Sequence, residues 1–304
     1  MAKHSGNKGD FKNFLILFLI CVVGIESYLL WNQKKFPFPL KRITATQAPK
    51  KEVPSRKVAD KKVVPAKRPA PVVALPAVPV KGSGKIAFII DDWGYTTHNC
   101  HFLEEISLPV TVSVLPSLAH TQDIIDCAYR NGKEIMLHLP LEPQNNTDEY
   151  PPDYIIKTSM GDKKMERIVN NVLDRMPHIV GVNNHMGSKA TEDERTMAIV
   201  FTQLKKRGLF FVDSKVTAKS ICWPLARKMG IPFTQRDIFL DNKNDREHIT
   251  EQLNQLVQKA QKRGVAVAIG HDRELTLQVL KENIPLLKAQ GYKIVTVKEL
   301  INAP

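Results

Sequence analysis

Four apolar runs in this chain end on residues able to hold a metal ion or move a proton. They are Lys85-Ile-Ala-Phe-Ile-Ile-Asp91-Asp92, Ile135-Met-Leu-His138, Ile179-Val-Gly-Val-Asn-Asn-His185 and Val265-Ala-Val-Ala-Ile-Gly-His271. Adjacent carboxylates leaving a strand in different directions let one bind a cation while the other takes or gives a proton. A divalent ion held by one carboxylate and two imidazoles keeps open positions for water and substrate, as catalytic zinc sites do. Such an ion brings the pKa of its water to about 7 and polarises a carbonyl. A further histidine can then protonate a leaving amine. Each residue also has an ordinary reading. Paired aspartates often cap a helix or shape a turn, and a strand-end histidine is more often a packed core or cap residue. Four polar ends on one edge of a fold favour the chemical reading.

The elements that would position these residues alternate regularly. Apolar runs fall near 85–90, 109–115, 133–138, 179–184, 208–213, 231–240, 265–270 and 293–297. Short apolar runs between helical patterns read as buried parallel strands, and ligands gather where such strands end. Amphipathic stretches at Thr121–Asn131, Lys163–Arg175, Asp193–Arg207, Arg246–Arg263 and Leu275–Gln290 read as helices. Gly132, Gly208, Gly230, Gly264 and Gly291 follow helical stretches as C-terminal caps should. Seven or eight β/α units imply a closed or nearly closed (β/α) barrel, whose rim would gather Asp91, His138, His185, Asp213 and His271. No GxGxxG or Walker motif follows a strand, which argues against a nucleotide cofactor. His98, His101, His120, His178 and His248 fall in helices or connections and read as surface residues.

The chain is 304 residues long with 43% hydrophobic residues and a formal charge of +13. That charge is local. Residues 34–85 hold fourteen Lys or Arg against Glu52 and Asp60, residues 1–33 are near neutral, and residues 86–304 carry no net charge. The basicity belongs to a linker and gives no reason to expect nucleic-acid binding. Residues 13–31 form an apolar span with one charge, Glu26, and with Tyr28 and Trp31 as interfacial anchors. The span reads as a membrane signal anchor after a short tail at 1–12; a cleaved signal peptide is the rival. Residues 32–84 carry nine of the twenty prolines and read as an extended, disordered spacer. The catalytic-type domain then occupies 85–304. This organisation predicts a single-pass protein of a bacterial inner membrane with its domain in the periplasm, or a secreted domain if the span is cut. Cys21, Cys100, Cys127 and Cys222 show no CxxC spacing and leave disulfide pairing open.

Six blocks together carry a resemblance to a known family. They are Asp91-Asp92-Trp-Gly94, Gly132-Lys-Glu-Ile-Met-Leu-His138-Leu-Pro-Leu-Glu142-Pro143, Gly181-Val-Asn-Asn-His185-Met-Gly-Ser188, Phe211-Val-Asp213-Ser214, Phe239-Leu-Asp241-Asn242 and Ile269-Gly-His271-Asp-Arg273. In order and content they resemble the divergent polysaccharide deacetylase family, a remote branch of the NodB-type carbohydrate esterases, over residues 84–302. The resemblance implies a NodB-like barrel and a divalent metal, zinc by preference. It implies Asp91 as catalytic base, Asp92 and His138 as metal ligands, and His271 as catalytic acid. Two departures stand out: Glu142 replaces the second metal histidine, and the Arg-Pro-Pro-x-Gly block is absent, with Asn184-His185-Met-Gly in its place. From these we expect His185 to supply the third ligand. Glu142, Asn184, Asp213 and Arg273 are then substrate-contacting or supporting residues, with Glu142 a candidate fourth ligand.

Two function classes follow. One is a metal-dependent hydrolase removing N-acetyl groups from an envelope amino-sugar polymer. The other is a non-catalytic barrel that binds glycan or a partner protein. Retained Asp91 and His271 favour the first; the missing histidine and arginine favour the second.

Overall fold

The computed structural model describes residues 84–145 and 150–302. The tail, the expected membrane span at 13–31 and the linker up to residue 83 lie outside the described residues. Among the described residues no helix is long and apolar enough to cross a membrane. Nine strands run in chain order: β1 (Lys85–Trp93), β2 (Thr111–Val114), β3 (Glu134–Leu141), β4 (Ile179–Met186), β5 (Phe210–Asp213), β6 (Phe233–Gln235), β7 (Ile238–Phe239), β8 (Val265–His271) and β9 (Lys293–Ile294). Every ladder is parallel, and the sheet order is β6-β5-β4-β3-β2-β1-β8-β7 with β9 beside β1.

The helices are α1 (Cys100–Glu105), α2 (Thr121–Arg130), α3 (Asp162–Asp174), α4 (Glu194–Lys206), α5 (Cys222–Met229), α6 (Arg246–Arg263), α7 (Glu274–Ala289) and α8 (Val297–Ile301). Their sequences explain their places. In α4, Met197, Val200, Phe201 and Leu204 are buried at helical spacing, and the Asp193 carboxylate accepts from Thr196 N at the first turn. In α6, Asp245 accepts from His248 N, and Gly264 ends the helix at φ 79°. Only glycine takes that left-handed conformation without steric cost.

Each long strand is apolar on both faces for a reason. On β1, Ile86, Phe88 and Ile90 pack outward against the helices. Ala87 and Ile89 point inward, where they meet Met136, Phe210, Val212, Val267 and Ile269. Val297 and Leu300 of α8 pack against this inner cluster. Burial stabilises each large apolar side chain by roughly 1.5–3 kcal/mol. The inner space is tight: a Cβ on Gly181 would lie 2.2 Å from the Phe210 ring. Glycine at that inward position of β4 is therefore a packing requirement.

Two sequence expectations need correction. The run at 231–240 is two strands, because its first half pairs β5 and its second half pairs β8. No ladder joins β6 to β7 among the described residues, so the sheet is a parallel half-barrel whose seam is crossed by the chain at Arg236 and Asp237. Among the described residues the sheet accordingly has nine strands, not seven or eight. The run at 293–297 stops as a strand at Ile294, since Thr296 and Glu299 form a reciprocal capping box that starts α8. Glu134, at the start of β3, also accepts from Val297 N. The linker of sequence between β1 and β2 holds α1, joined to α2 by a Cys100–Cys127 disulfide, while Cys222 is buried and free.

Candidate functional site

Strand register brings the polar residues together at the C-terminal ends of β1, β3, β4 and β8. Asp91 is the direct partner of His271 on β8, and His138 of Asn183 on β4. Pleating then points alternate residues inward, so Ala87, Ile89 and Asp91 share one face with Val267, Ile269 and His271. Simple alternation would turn Asp92 away from that face. A register shift between Ile90 and Trp93 prevents this, with Asp92 at φ 65°. The bulge sends Trp93 into the outer core and lets both carboxylates face the same imidazole. Left-handed backbone at a non-glycine residue costs of order 1 kcal/mol or more. The adjacent carboxylates thus converge here, where the sequence predicted divergence.

Asp92 Oδ1 lies 3.2 Å from His138 Nε2 and 3.1 Å from His185 Nδ1. One donor atom from each of Asp92, His138 and His185 falls within 4.8 Å of the others. One carboxylate oxygen and two imidazole nitrogens are a donor set that suits zinc or a similar divalent ion. The residues present therefore fit the ion that the sequence leads one to expect. Burial grades across the group: Asp91 and His138 are 2% and 3% exposed, whereas the Asp92 side chain is 29% exposed.

Asn183 is the residue that sequence reading passed over. Its Oδ1 accepts from His138 Nδ1 at 2.8 Å and from Ser113 Oγ at 2.6 Å, while its Nδ2 donates to Asp91 Oδ1 at 2.8 Å. An amide oxygen only accepts, so Nδ1 of His138 carries a proton, and Nε2 is the nitrogen that faces the ligand cluster. One buried amide thereby orients a ligand and a candidate base together. Asn184, predicted as a site residue, faces elsewhere: its side chain accepts from Ser214 N and donates to Met186 O. The two-residue period counted back from His185 distinguishes the pair.

His271 is held by a second arrangement. Asp241 Oδ1 accepts from its Nδ1 at 2.8 Å, and Asp241 Oδ2 from its backbone N at 2.9 Å. Its Nε2 then points inward, 3.8 Å from Asp92 Oδ2. Phe239 stacks on the imidazole at 5.1 Å. Asp241 belongs to one of the motif blocks but had no role assigned by sequence. On the opposite wall the Tyr150 ring packs edge-on to His185 at 5.2 Å, and its hydroxyl lies 3.4 Å from that of exposed Tyr95.

Charge states follow from these contacts. Burial raises Asp91 above the ordinary carboxylate range, only partly opposed by His138 and Asn183. For Asp92 burial acts the same way but is outweighed by hydrogen bonds from His138 and His185, which hold it far below that range. Burial opposes protonation of His138 and His271, yet the Asp91 and Asp92 carboxylates raise the first and Asp241 raises the second. Asp272, behind His271, is pushed up to about 6 by burial.

The remaining predicted site residues are engaged in the walls. Glu142 Oε2 accepts from Thr158 N and Oγ1, and Oε1 from Lys189 Nζ at 2.9 Å. It braces two loops, and the grouped donors are Asp92, His138 and His185. Asp213 accepts from Lys215 N and Ser220 Oγ, shaping the turn after β5. Arg273 donates Nη1 to Asp241 O. His98, His101 and His178 are exposed, as expected. His120 and His248 are half-buried and hydrogen-bond Asp123 and Asn242.

Comparisons with known proteins agree with this architecture. A family model described as divergent polysaccharide deacetylase matches residues 88–301. The uncharacterized protein YibQ of Escherichia coli (strain K12) is 30% identical over 228 residues, 73% of this chain and 69% of the relative. An uncharacterized protein of Haemophilus influenzae (strain ATCC 51907 / DSM 11121 / KW20 / Rd) is 30% identical over 200 residues, 66% of this chain and 71% of the relative. The crystal structure of the uncharacterized protein ATU2773 from Agrobacterium tumefaciens C58 aligns at a TM-score of 0.68. It is 23% identical, with 72% of this chain and 89% of that one covered, and so shares the fold.

Proposed function

The chain belongs to the divergent polysaccharide deacetylase family, and from that premise we propose that it is a metal-dependent hydrolase cleaving N-acetyl amides of an envelope amino-sugar polymer. The observation that carries the reading is the convergence of three donors, a buried carboxylate and an oriented imidazole at one rim. Asp92, His138 and His185 would hold a divalent ion, zinc by preference. When bound, such an ion polarises the amide carbonyl and acidifies a water. Asp91, its Oδ1 held by Asn183, has Oδ2 available and would take a proton from an attacking water. His271, whose protonated form Asp241 favours, would supply a proton through Nε2 to the departing nitrogen. One water is consumed, the C–N bond breaks, and acetate and a free amine leave.

We further propose that the domain works outside the cytoplasm, tethered through residues 13–31, or is secreted if that span is cut. The Cys100–Cys127 disulfide supports an oxidising compartment.

The test is zinc stoichiometry and acetate release with the purified full chain, stripped by chelator and reloaded. One zinc per chain, its loss in His185→Ala, and acetate from an N-acetylated glycan are expected. Unchanged zinc in His185→Ala refutes the ligand assignment. Bound zinc with no acetate from any N-acetylated glycan refutes hydrolysis and leaves the glycan-binding barrel.

A further inference from the structure

Arg236 sits at the seam between β6 and β7, and its surroundings do not neutralise it. Its Nε donates to Ser214 O at 2.7 Å and its Nη2 to Lys215 O at 2.8 Å. The guanidinium carbon lies 4.4 Å from the centroid of Phe239, the ring that stacks on His271. Both hydrogen-bonded partners are carbonyls. Among the described residues no carboxylate comes within ion-pair distance of Arg236, and Nη1 has no hydrogen-bond partner. Asp213, Asp91 and Asp237 act on it only from farther away. Asp213, the natural candidate, is already spent on Lys215 N and Ser220 Oγ.

A half-buried cation without a counter-charge is a standing cost, and such groups persist where a ligand completes them. The planar guanidinium fork matches a carboxylate in two-point contact. Two further cations, Lys215 and Arg273, lie on this side of the mouth. Lys215 is exposed at φ 48°, that conformation fixed by Asp213 on its N–H and by Arg236 on its carbonyl. Arg273 is exposed two residues after His271, with its Nη1 on Asp241 O and 3.9 Å from Asp241 Oδ2. Across the mouth Lys189 is paired with Glu142, so of these cations Arg236 stands out as half-buried without a carboxylate partner among the described residues.

We propose that Arg236, with Lys215 and Arg273 beside it, binds an anionic group of the substrate, so that the polymer acted on is an amino-sugar glycan bearing carboxylates. The proposal rests on the glycan-hydrolase reading of the adjoining site and adds a specificity to it. Arg236 is a positioning residue here: it fixes where the glycan lies and takes no part in proton transfer.

The experiment compares two matched probes with the zinc-loaded full chain: a chito-hexasaccharide and the same hexasaccharide with C6 carboxylates. A preference of about tenfold in kcat/KM for the carboxylated probe, carried by KM, is the expected result for one well-placed charge contact. In Arg236→Gln that preference falls to about one, and Arg236→Lys restores part of it, since charge returns without the fork. Raised salt lowers the preference as well. Equal use of both probes by the unaltered protein, or a preference unchanged in Arg236→Gln, overturns the proposal. Should Arg236→Gln fail to fold, the Lys215→Gln/Arg273→Gln pair is measured instead, and an unchanged preference there overturns it equally. If neither probe yields acetate, calorimetric binding of the two is compared. A carboxylate preference lost in Arg236→Gln then sustains this proposal while hydrolysis falls; binding without preference ends both.

Discussion

The two sides of the mouth are built by different means. On the β3–β4 side, His138 and Asn183 are ladder partners, and His185 follows two residues later on the same face. One buried amide links the ligand to the base. On the β7–β8 side, His271 takes its orientation from Asp241, which leaves β7 just past the seam and bonds both its ring and its backbone. The first side is organised by sheet register, the second by a single carboxylate at the open edge of the sheet. The ligand side should therefore yield in steps when altered, while the acid side should depend steeply on one residue.

Asp241→Asn tests the steep side and carries the largest expected effect. An amide can present its NH2 to the ring and stabilise the wrong tautomer, besides losing the charge that favours imidazolium. General acid catalysis contributes about 10²–10⁴ in rate, and kcat for acetate release should fall by about 10² or more. Zinc content should stay at one per chain, because Asp241 touches none of the grouped donors. A coupled loss of zinc would show that the two sides are not independent.

Asn183→Ala tests the graded side. Removing a hydrogen-bond partner of a ligand typically weakens metal affinity by about 10–100-fold. The same change frees Ser113 and Asp91 from their shared partner, so the pH profile of any activity should shift together with zinc affinity. Zinc competition against a chelator of known strength measures the first, and kcat/KM across pH the second. Unaltered zinc affinity would mean that register alone, not the amide, orients His138.

The same contrast explains what could be read from sequence. All the strand-end histidines and Asp91 lay at the ends of apolar runs, so their convergence followed from counting β/α units. The helix at Arg246–Arg263 was legible to the residue, because an Asp cap and a Gly stop bracket it. Asn183 was hidden by its neighbour, although period-two alternation from His185 singles it out. Asp92 violates that alternation, and only the bulge between Ile90 and Trp93 explains how it faces the site. The split at Arg236 was invisible, since a run that pairs two different strands in its two halves looks like one strand. The acid side was the less legible because its geometry belongs to that seam.

Asp272 offers the mildest test, on the acid side but outside the proposed chemistry. It follows His271, donates its backbone N–H to Asp91 O, and accepts from Asn99 Nδ2 at 2.7 Å. Burial lifts its carboxyl from 3.8 to about 6, so the folded state favours the protonated form. Its contribution is therefore most favourable below pH 4 and is lost as pH rises through 6. A two-unit shift sets an upper bound of about 2.7 kcal/mol, and partial solvent access reduces this to about 1 kcal/mol. Asp272→Asn keeps an acceptor for Asn99 and removes the ionisation. Denaturation of the chelator-treated protein should show the variant more stable by about 1 kcal/mol at pH 7.5, with the gap closing toward pH 4. A constant gap across that range would assign the effect to packing. A variant less stable at pH 7.5 would mean that the Asp272 carboxylate serves the seam as Asp241 does, giving the acid side two supports and softening the contrast with the ligand side.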